Sequence, residues 1–279
     1  MSNLQGQVAF ITGAAHPLGI GRSIANHLGS QGAKVIIGDI DKKYLESAVY
    51  DLKKQGIESD CYDIDVSRLD EVQTAVEKII KAENKIDILV NNVGGTSKTN
   101  RESVSGGEDT TATSSSTPVL GVSNATPEQW EKIINVNLNS VIYCSQAVLP
   151  HMKKRQYGRI VNFASVAGQR GVSKIESFTS GPYSVAKAAV IGLTRQLAIE
   201  NAEHGINVNA VSPGFVKSAR GQALDDLPEE HKQALLESIP QGRFAESDEV
   251  ASVVLGLCTS QFQYVTGQTI NVNGGMYFS

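Results

Sequence analysis

Cysteine is scarce in this chain: three in 279 residues, at Cys61, Cys144 and Cys258. They are far apart, odd in number and outside any CxxC or Cys/His spacing, which argues against a disulfide framework or a zinc site. No metal is expected, and a reducing, cytoplasmic setting is the simplest home for such thiols. Long apolar runs are also lacking. No stretch approaches the ~18 residues that span a bilayer. Met1–Gln7 carries no basic segment leading into an apolar one, so neither a membrane span nor a signal peptide is expected. Nor is there an excess of positive charge. The formal net charge of −4 gives nucleic acid or an anionic membrane surface little to hold. The longest basic run, Lys153-Lys154-Arg155, falls near a predicted helix end, where cations offset the helix dipole.

What is present is a chain 41% hydrophobic and 19% charged, with apolar side chains enough for a sizeable core. Short β-branched runs alternate with amphipathic stretches, the pattern of a parallel sheet wrapped by helices on both faces. Strands are predicted at Val8–Thr12, Lys34–Gly38, Ser59–Ile64, Ile86–Asn91, Gly158–Phe163, Asn207–Val211 and Thr269–Val272. Between them, Val72, Ala75, Val76, Ile79 and Ile80 share one helical stripe, and Ala186, Val190, Leu193 and Leu197 another. Gly32 and Gly205 stand where helix C-caps belong. With right-handed crossovers, these elements make an α/β, doubly wound, seven-stranded parallel sheet of Rossmann type, and residues 1–279 read as one domain. The stretch from about 96 to 125, with its Ser/Thr/Gly-rich tract Ser103–Thr117, breaks the rhythm and reads as a surface insertion. Order resumes at Thr126-Pro127-Glu128-Gln129, an N-cap, a first-turn proline and a capping-box partner.

After the first strand comes Thr12-Gly13-Ala14-Ala15-His16-Pro17-Leu18-Gly19-Ile20-Gly21 and then a helix. Glycines let the backbone turn sharply and approach a ligand, and unpaired N–H groups at the helix start favour an anion such as a pyrophosphate. The next strand ends at Asp39, 26 residues after Gly13, where a carboxylate can accept hydrogen bonds from an adenosine ribose. That carboxylate would repel a 2′-phosphate, and Ile40 and Asp41 follow it, so NAD is preferred to NADP. His16 is the nearby candidate for a phosphate contact. Further on, Tyr183-Ser184-Val185-Ala186-Lys187 opens a helix and sets a phenol and an ammonium one turn apart on one face. A tyrosine at its ordinary pKa of about 10 is a poor base near neutrality. A nearby cation stabilises the phenolate and brings it toward the working range.

Together these residues resemble the short-chain dehydrogenase/reductase family, in pieces that run in order from Val8 to Tyr277. Gly13, Gly19, Ile20 and Gly21 resemble its cofactor turn. Asp65-Val66 resembles its adenine-contacting pair, and Asn91-Asn92-Val93-Gly94 its NNAG segment. Pro213-Gly214-Phe215-Val216 resembles the segment bordering the nicotinamide, with Ser218 where the family usually has Thr. The resemblance implies that Tyr183 exchanges a proton with the substrate oxygen while a hydride passes to or from the nicotinamide. It implies that Lys187 binds the nicotinamide ribose and lowers the tyrosine's proton affinity. Ser165 would hydrogen-bond the substrate oxygen, and Asn137 would hold a water linking Lys187 to solvent. It also implies a substrate lid at about 219–243, carrying Arg220, Leu224, Leu227 and Leu236. A homodimer or homotetramer built through the helices of Pro127–Lys154 and Pro182–His204 would follow too. Without the resemblance, Asn137 reads as satisfying a kinked helix and Ser165 as a strand-end cap.

This chain departs from the family pattern in three further places. Five residues rather than three separate Gly13 from Gly19. The Ser/Thr-rich tract lengthens the stretch between Gly94 and Trp130. Ser165 and Tyr183 are 18 apart, five more than in compact members, and the extra loop carries Arg170, Lys174 and Glu176 as candidate pocket wall. The reading is an NAD-dependent enzyme interconverting a secondary alcohol and its ketone. Gly274-Gly275-Met276-Tyr277 resembles 3-oxoacyl-carrier-protein reductases, which usually use NADPH. Against that stands Ile199, where a carrier-docking Arg is often found. A catalytically idle NAD-binding sensor is the remaining alternative, and a sugar-nucleotide epimerase would need a further domain.

Overall fold

The computed structural model describes residues 4–95, 120–172, 176, 180–218, 224 and 227–278. Nine strands are described: β1 Val8–Thr12, β2 Lys34–Asp39, β3 Ser59–Asp63, β4 Ile88–Asn91, β5 Gly158–Phe163, β6 Ile206–Pro213, β7 Val216–Lys217, β8 Ala245–Glu246 and β9 Thr269–Val272. Seven form one sheet in the order β3-β2-β1-β4-β5-β6-β9, every neighbouring pair parallel. This is the doubly wound arrangement that the alternating pattern predicts. β7 and β8 form a separate two-residue ladder, too short to announce itself in the sequence. Predicted and observed strands differ by at most two residues at either end. β4 begins after Asp87, whose backbone N–H donates to Val8 O at 2.9 Å and whose carboxylate accepts the Val8 N–H at 2.9 Å.

Among the described residues the α-helices are α1 Ile20–Ser30, α2 Lys42–Lys54, α3 Leu69–Glu83, α4 Pro127–Ile134, α5 Ser140–Arg155, α6 Val166–Arg170, α7 Gly181–Asn201, α8 Glu229–Glu237 and α9 Ser247–Cys258. Alternate residues of each strand feed opposite layers, as a two-residue period requires. Ala9, Ile11, Val35 and Ile37 pack with Ile24 and Leu28 of α1, Leu45 and Leu52 of α2, and Val250 and Val254 of α9. Val8, Phe10, Ile36 and Leu89 face Val72, Val76 and Ile79 of α3, Val148 and Met152 of α5, and Leu197 of α7. Thr126 accepts the Gln129 N–H while Gln129 Oε1 accepts the Thr126 N–H, so α4 starts with the expected capping box. Gly32 and Gly205 take positive φ just past helix ends, and Lys153–Arg155 fill the last turn of α5. The single helix expected over Pro127–Lys154 is divided by a π turn at Asn135–Asn139. The tract Ser103–Thr117, Lys174 and Arg220 lie outside the described residues. Of the expected lid, α8 is described, and Leu235 and Ile239 pack with Leu224 and Phe244 in a small apolar cluster of their own.

Candidate active site

In a parallel sheet all strands end on the same edge, and ligands sit beyond it. Gly13 follows β1 and Asp39 closes β2. Asp65 follows β3, Asn92 and Gly94 follow β4, Ser165 follows β5, and Pro213 ends β6 with Gly214 after it. The structure thus gathers the residues named from sequence along one rim.

The glycine turn is braced from three sides. Gly13 takes φ +69°, a conformation that costs glycine little, and its N–H donates to Gly38 O at 2.7 Å. Asn92 Nδ2 donates to Thr12 O at 3.0 Å and Gly13 O at 2.8 Å, and Thr12 Oγ1 accepts the Asn92 and Val93 N–H groups. From below, the buried Arg22 of α1 donates to Ala14 O at 3.3 Å and to Ala15 O, and it pairs with Asp51. Sequence reading missed Arg22. Its signal was its place directly after Gly21 in the first helical turn. A Cβ on Gly21 would lie 2.5 Å from Gly13 O and 2.9 Å from Ala14 Cα, both backbone atoms. The turn and α1 can approach this closely only through glycine. No side chain caps Gly19 at the helix start, so the first-turn amides suit an anion, and the cradle fits a dinucleotide's pyrophosphate. Gly21→Ala is expected to raise the dissociation constant of the bound dinucleotide roughly tenfold or more, read by fluorescence titration.

Asp39 has a task the sequence did not reveal. Oδ2 accepts the Ala15 N–H at 3.0 Å and Oδ1 the Asp41 N–H at 3.1 Å, so the carboxylate ties β2 to the turn. Burial raises its pKa above the ordinary value, and backbone N–H donors offset part of that. Each oxygen keeps a lone pair for a ribose hydroxyl. Ile40 and Asp41 are not all that follows Asp39, because α2 opens with Lys42 and Lys43. Lys42 is committed to Asp63 at 3.0 Å. At β3, the carboxylate of Asp65 accepts from the Ser67 N–H at 3.0 Å and its hydroxyl at 2.6 Å, shaping the turn into α3, with Val66 buried beside it.

The second half of the site centres on α7. Ser180 caps it by accepting the Tyr183 N–H at 3.3 Å, which sets Tyr183 in the first turn and Lys187 in the next. Lys187 is 2% exposed. Its Nζ donates to Phe163 O at 2.7 Å, at the end of β5, and lies 5.7 Å from the centre of the Tyr183 ring. Burying an ammonium is costly unless it is held and used. Gly168 presses against this point, since its Cβ would fall 2.9 Å from Lys187 Cβ. Gly94 does so from the other side, its Cβ falling 2.6 Å from Lys187 Nζ and 2.9 Å from Asn137 Oδ1. Gly94, Asn137 and Lys187 therefore meet.

Asn137 is fully buried on the π turn. Nδ2 donates to Ile133 O at 2.9 Å and Gly95 O at 2.8 Å, and Oδ1 accepts the Gly95 N–H at 2.7 Å. It satisfies the kinked helix and pins the segment after β4 at once. Ser165 is the N-cap of α6, accepting the Ala167 N–H at 3.2 Å with extended backbone. One layer deeper, Asn91 donates to Asn162 at 2.9 Å and Asn162 to Thr194 at 3.0 Å, tying β4 and β5 to α7. Gly214 donates to Val272 O and packs on Asn273 and Met276, and Val216 and Ser218 lead from there toward the expected lid. At the end of that segment Arg243 grips both oxygens of Glu249 at 2.7 Å and pulls the carboxyl down to about 2. In the lengthened loop, Arg170 is ion-paired to the buried Glu176. Two clefts, of about 460 and 790 Å³, flank β9 rather than Tyr183.

A family model described as enoyl-(acyl carrier protein) reductase matches residues 13–277. The chain belongs to this family of short-chain dehydrogenase/reductases and is an NAD(P)-dependent oxidoreductase. It is 37% identical over 273 residues to the 3-oxoacyl-acyl-carrier-protein reductase FabG of Thermotoga maritima, covering 98% of each chain. To the FabG of Pseudomonas aeruginosa it is 37% identical over 277 residues, covering 99% of this chain and 100% of that one. Among solved structures, gox2181 superposes with a TM-score of 0.85 at 30% identity, covering 98% of this chain and 96% of the other. No helix among the described residues is long and apolar enough to cross a membrane.

Proposed function

We propose that the enzyme interconverts a secondary alcohol and its ketone, with Tyr183 as the acid–base group. The observation that carries this reading is the buried Lys187 ammonium, anchored on Phe163 O and 5.7 Å from the Tyr183 ring. When bound, the nicotinamide supplies or accepts the hydride. The chain's residues do the rest. The turn from Gly13 to Gly21 binds the pyrophosphate, with Ile20 at the helix start. Asp39 binds the adenosine ribose, and Asp65 and Val66 border the adenine. Asn92, Gly94, Pro213, Gly214, Val216 and Ser218 line the nicotinamide half. Tyr183 moves the proton at the substrate oxygen, Ser165 orients that oxygen, Lys187 stabilises the phenolate, and the free lone pair of Asn137 Oδ1 takes a water that relays the proton.

NAD is the preferred cofactor because the Asp39 carboxylate that ends β2 would repel a 2′-phosphate, and of the two lysines that open α2, Lys42 pairs with Asp63. A second reading, reduction of a 3-oxoacyl thioester, is favoured by the FabG relatives. Turnover should therefore be measured in both directions: NAD with a panel of secondary alcohols, sugars and hydroxyacyl compounds, and NADH or NADPH with an acetoacetyl thioester. Activity on free alcohols with NAD supports the first reading. Activity on the thioester alone supports the second. Tight NADH binding without turnover on any substrate contradicts both and leaves a sensor. A homodimer or homotetramer through α4–α5 and α7 is also proposed, to be read by analytical ultracentrifugation.

A further inference from the structure

Pro17 and Leu18 lengthen the glycine turn, and the residue just before them is His16. Its carbonyl accepts the Gly19 N–H at 3.0 Å and its Nδ1 accepts the Leu18 N–H at 3.2 Å, so the extension folds around this one residue. The ring meets that of Tyr44, in the first turn of α2, edge to face, with centroids 4.7 Å apart and planes at 65°. Ala15, the residue before His16, is the one bonded to Asp39. Turn, strand end and helix start thus converge on a single spot: Asp39, His16 and Tyr44.

We propose that the His16–Tyr44 ring pair is a specificity clasp for the cofactor, closing the side of the Asp39 site on which a 2′-phosphate would project and contacting the adenosine ribose of NAD. The proposal rests on the NAD reading above. With Nδ1 an acceptor, the imidazole proton sits on Nε2 and the ring is neutral. Burial lowers its proton affinity; Asp41 and Asp39 act against that, while Arg22 and Lys43 act with it. A phosphate arriving here would meet two carboxylates and an uncharged ring. Arg22 is held by Ala14 O, Ala15 O and Asp51, and Lys42 by Asp63, while the exposed Lys43 stays close, its Nζ 5.1 Å from the centre of the Tyr44 ring. Stripping water from a phosphate beside two carboxylates costs more than one exposed lysine returns, whereas a ribose hydroxyl is small, neutral and able to donate to Asp39.

Dissociation constants for NADH and NADPH, measured by fluorescence titration on the full chain, test this in wild type, His16→Ala, Tyr44→Ala and Tyr44→Phe. The wild type is expected to prefer NADH. Loss of either ring should narrow the NADPH/NADH ratio by about tenfold, while Tyr44→Phe keeps it. Should His16→Ala fail to fold, His16→Asn removes the ring and keeps an acceptor for the Leu18 N–H. A ratio unchanged in the ring-deleted variants, with wild type still preferring NADH, overturns the clasp alone. A wild type that prefers NADPH overturns the NAD reading and the clasp with it.

Discussion

Tyr183→Phe is expected to bind the dinucleotide as the wild type does and to turn over roughly 10²–10⁴-fold more slowly. The hydroxyl is the only atom removed. The ring stays on α7, whose first turn is held by the Ser180 cap on the Tyr183 backbone N–H rather than by the phenol. Lys187 keeps its bond to Phe163 O. Cofactor affinity therefore has no reason to change, and the lost rate reports proton transfer alone. Steady-state kinetics beside a cofactor titration and a melting curve separates the possibilities. Residual activity within a few-fold of wild type would remove Tyr183 from the chemistry. Loss of binding together with rate would make it structural.

Gly94→Ala should be the next most damaging change, although it adds a single methyl group. The new Cβ would lie 2.6 Å from Lys187 Nζ and 2.9 Å from Asn137 Oδ1. A lysine end is ordinarily free to yield, but this one is buried and tethered to Phe163 O. Asn137 has even less room, because its amide bonds Ile133 and both polar groups of Gly95. The ammonium has to shift by a fraction of an ångström to an ångström, which at a reacting centre costs roughly 10²-fold in kcat. A smaller loss of stability is expected, since the relief is a side-chain movement rather than a backbone one. A variant with wild-type kcat would mean that the position of Lys187 does not govern the rate.

Both predictions depend on features whose legibility differs. The parallel sheet could be read directly, because strands buried on both faces carry β-branched runs such as Val35-Ile36-Ile37. The Tyr183–Lys187 pairing was equally plain, since i and i+4 must share a helix face. Long-range backbone bracing was not. Nothing local marks Asp39 as the acceptor for Ala15 N–H, or Arg22 as donor to two carbonyls of the turn, because those contacts arise only when β2 and α1 are packed against β1. The π turn was foreshadowed only by Asn137, read as satisfying a kinked helix; the position and type of the kink emerge with its buried amide, which donates to Ile133 O. Lys42 shows the same limit from another side. It follows Asp39 by only three residues, yet only the structure shows that it opens the neighbouring helix and pairs with Asp63. The lengthened turn was visible as a count, and its meaning emerged only with the contact between His16 and Tyr44.

Isotope transfer gives the most direct test of the central claim, that this rim of strand ends performs hydride and proton exchange rather than merely holding a dinucleotide. NADH and NADPH deuterated at C4 are incubated with the enzyme and a panel of ketones and 3-oxoacyl thioesters, and the products are examined by mass spectrometry and NMR. The account predicts one deuterium at the carbinol carbon of the product, delivered from one face of the cofactor, and transfer slowed by the same roughly 10²–10⁴-fold with Tyr183→Phe. Tight cofactor binding with no deuterium in any product, or equal transfer by the phenylalanine variant, would contradict it.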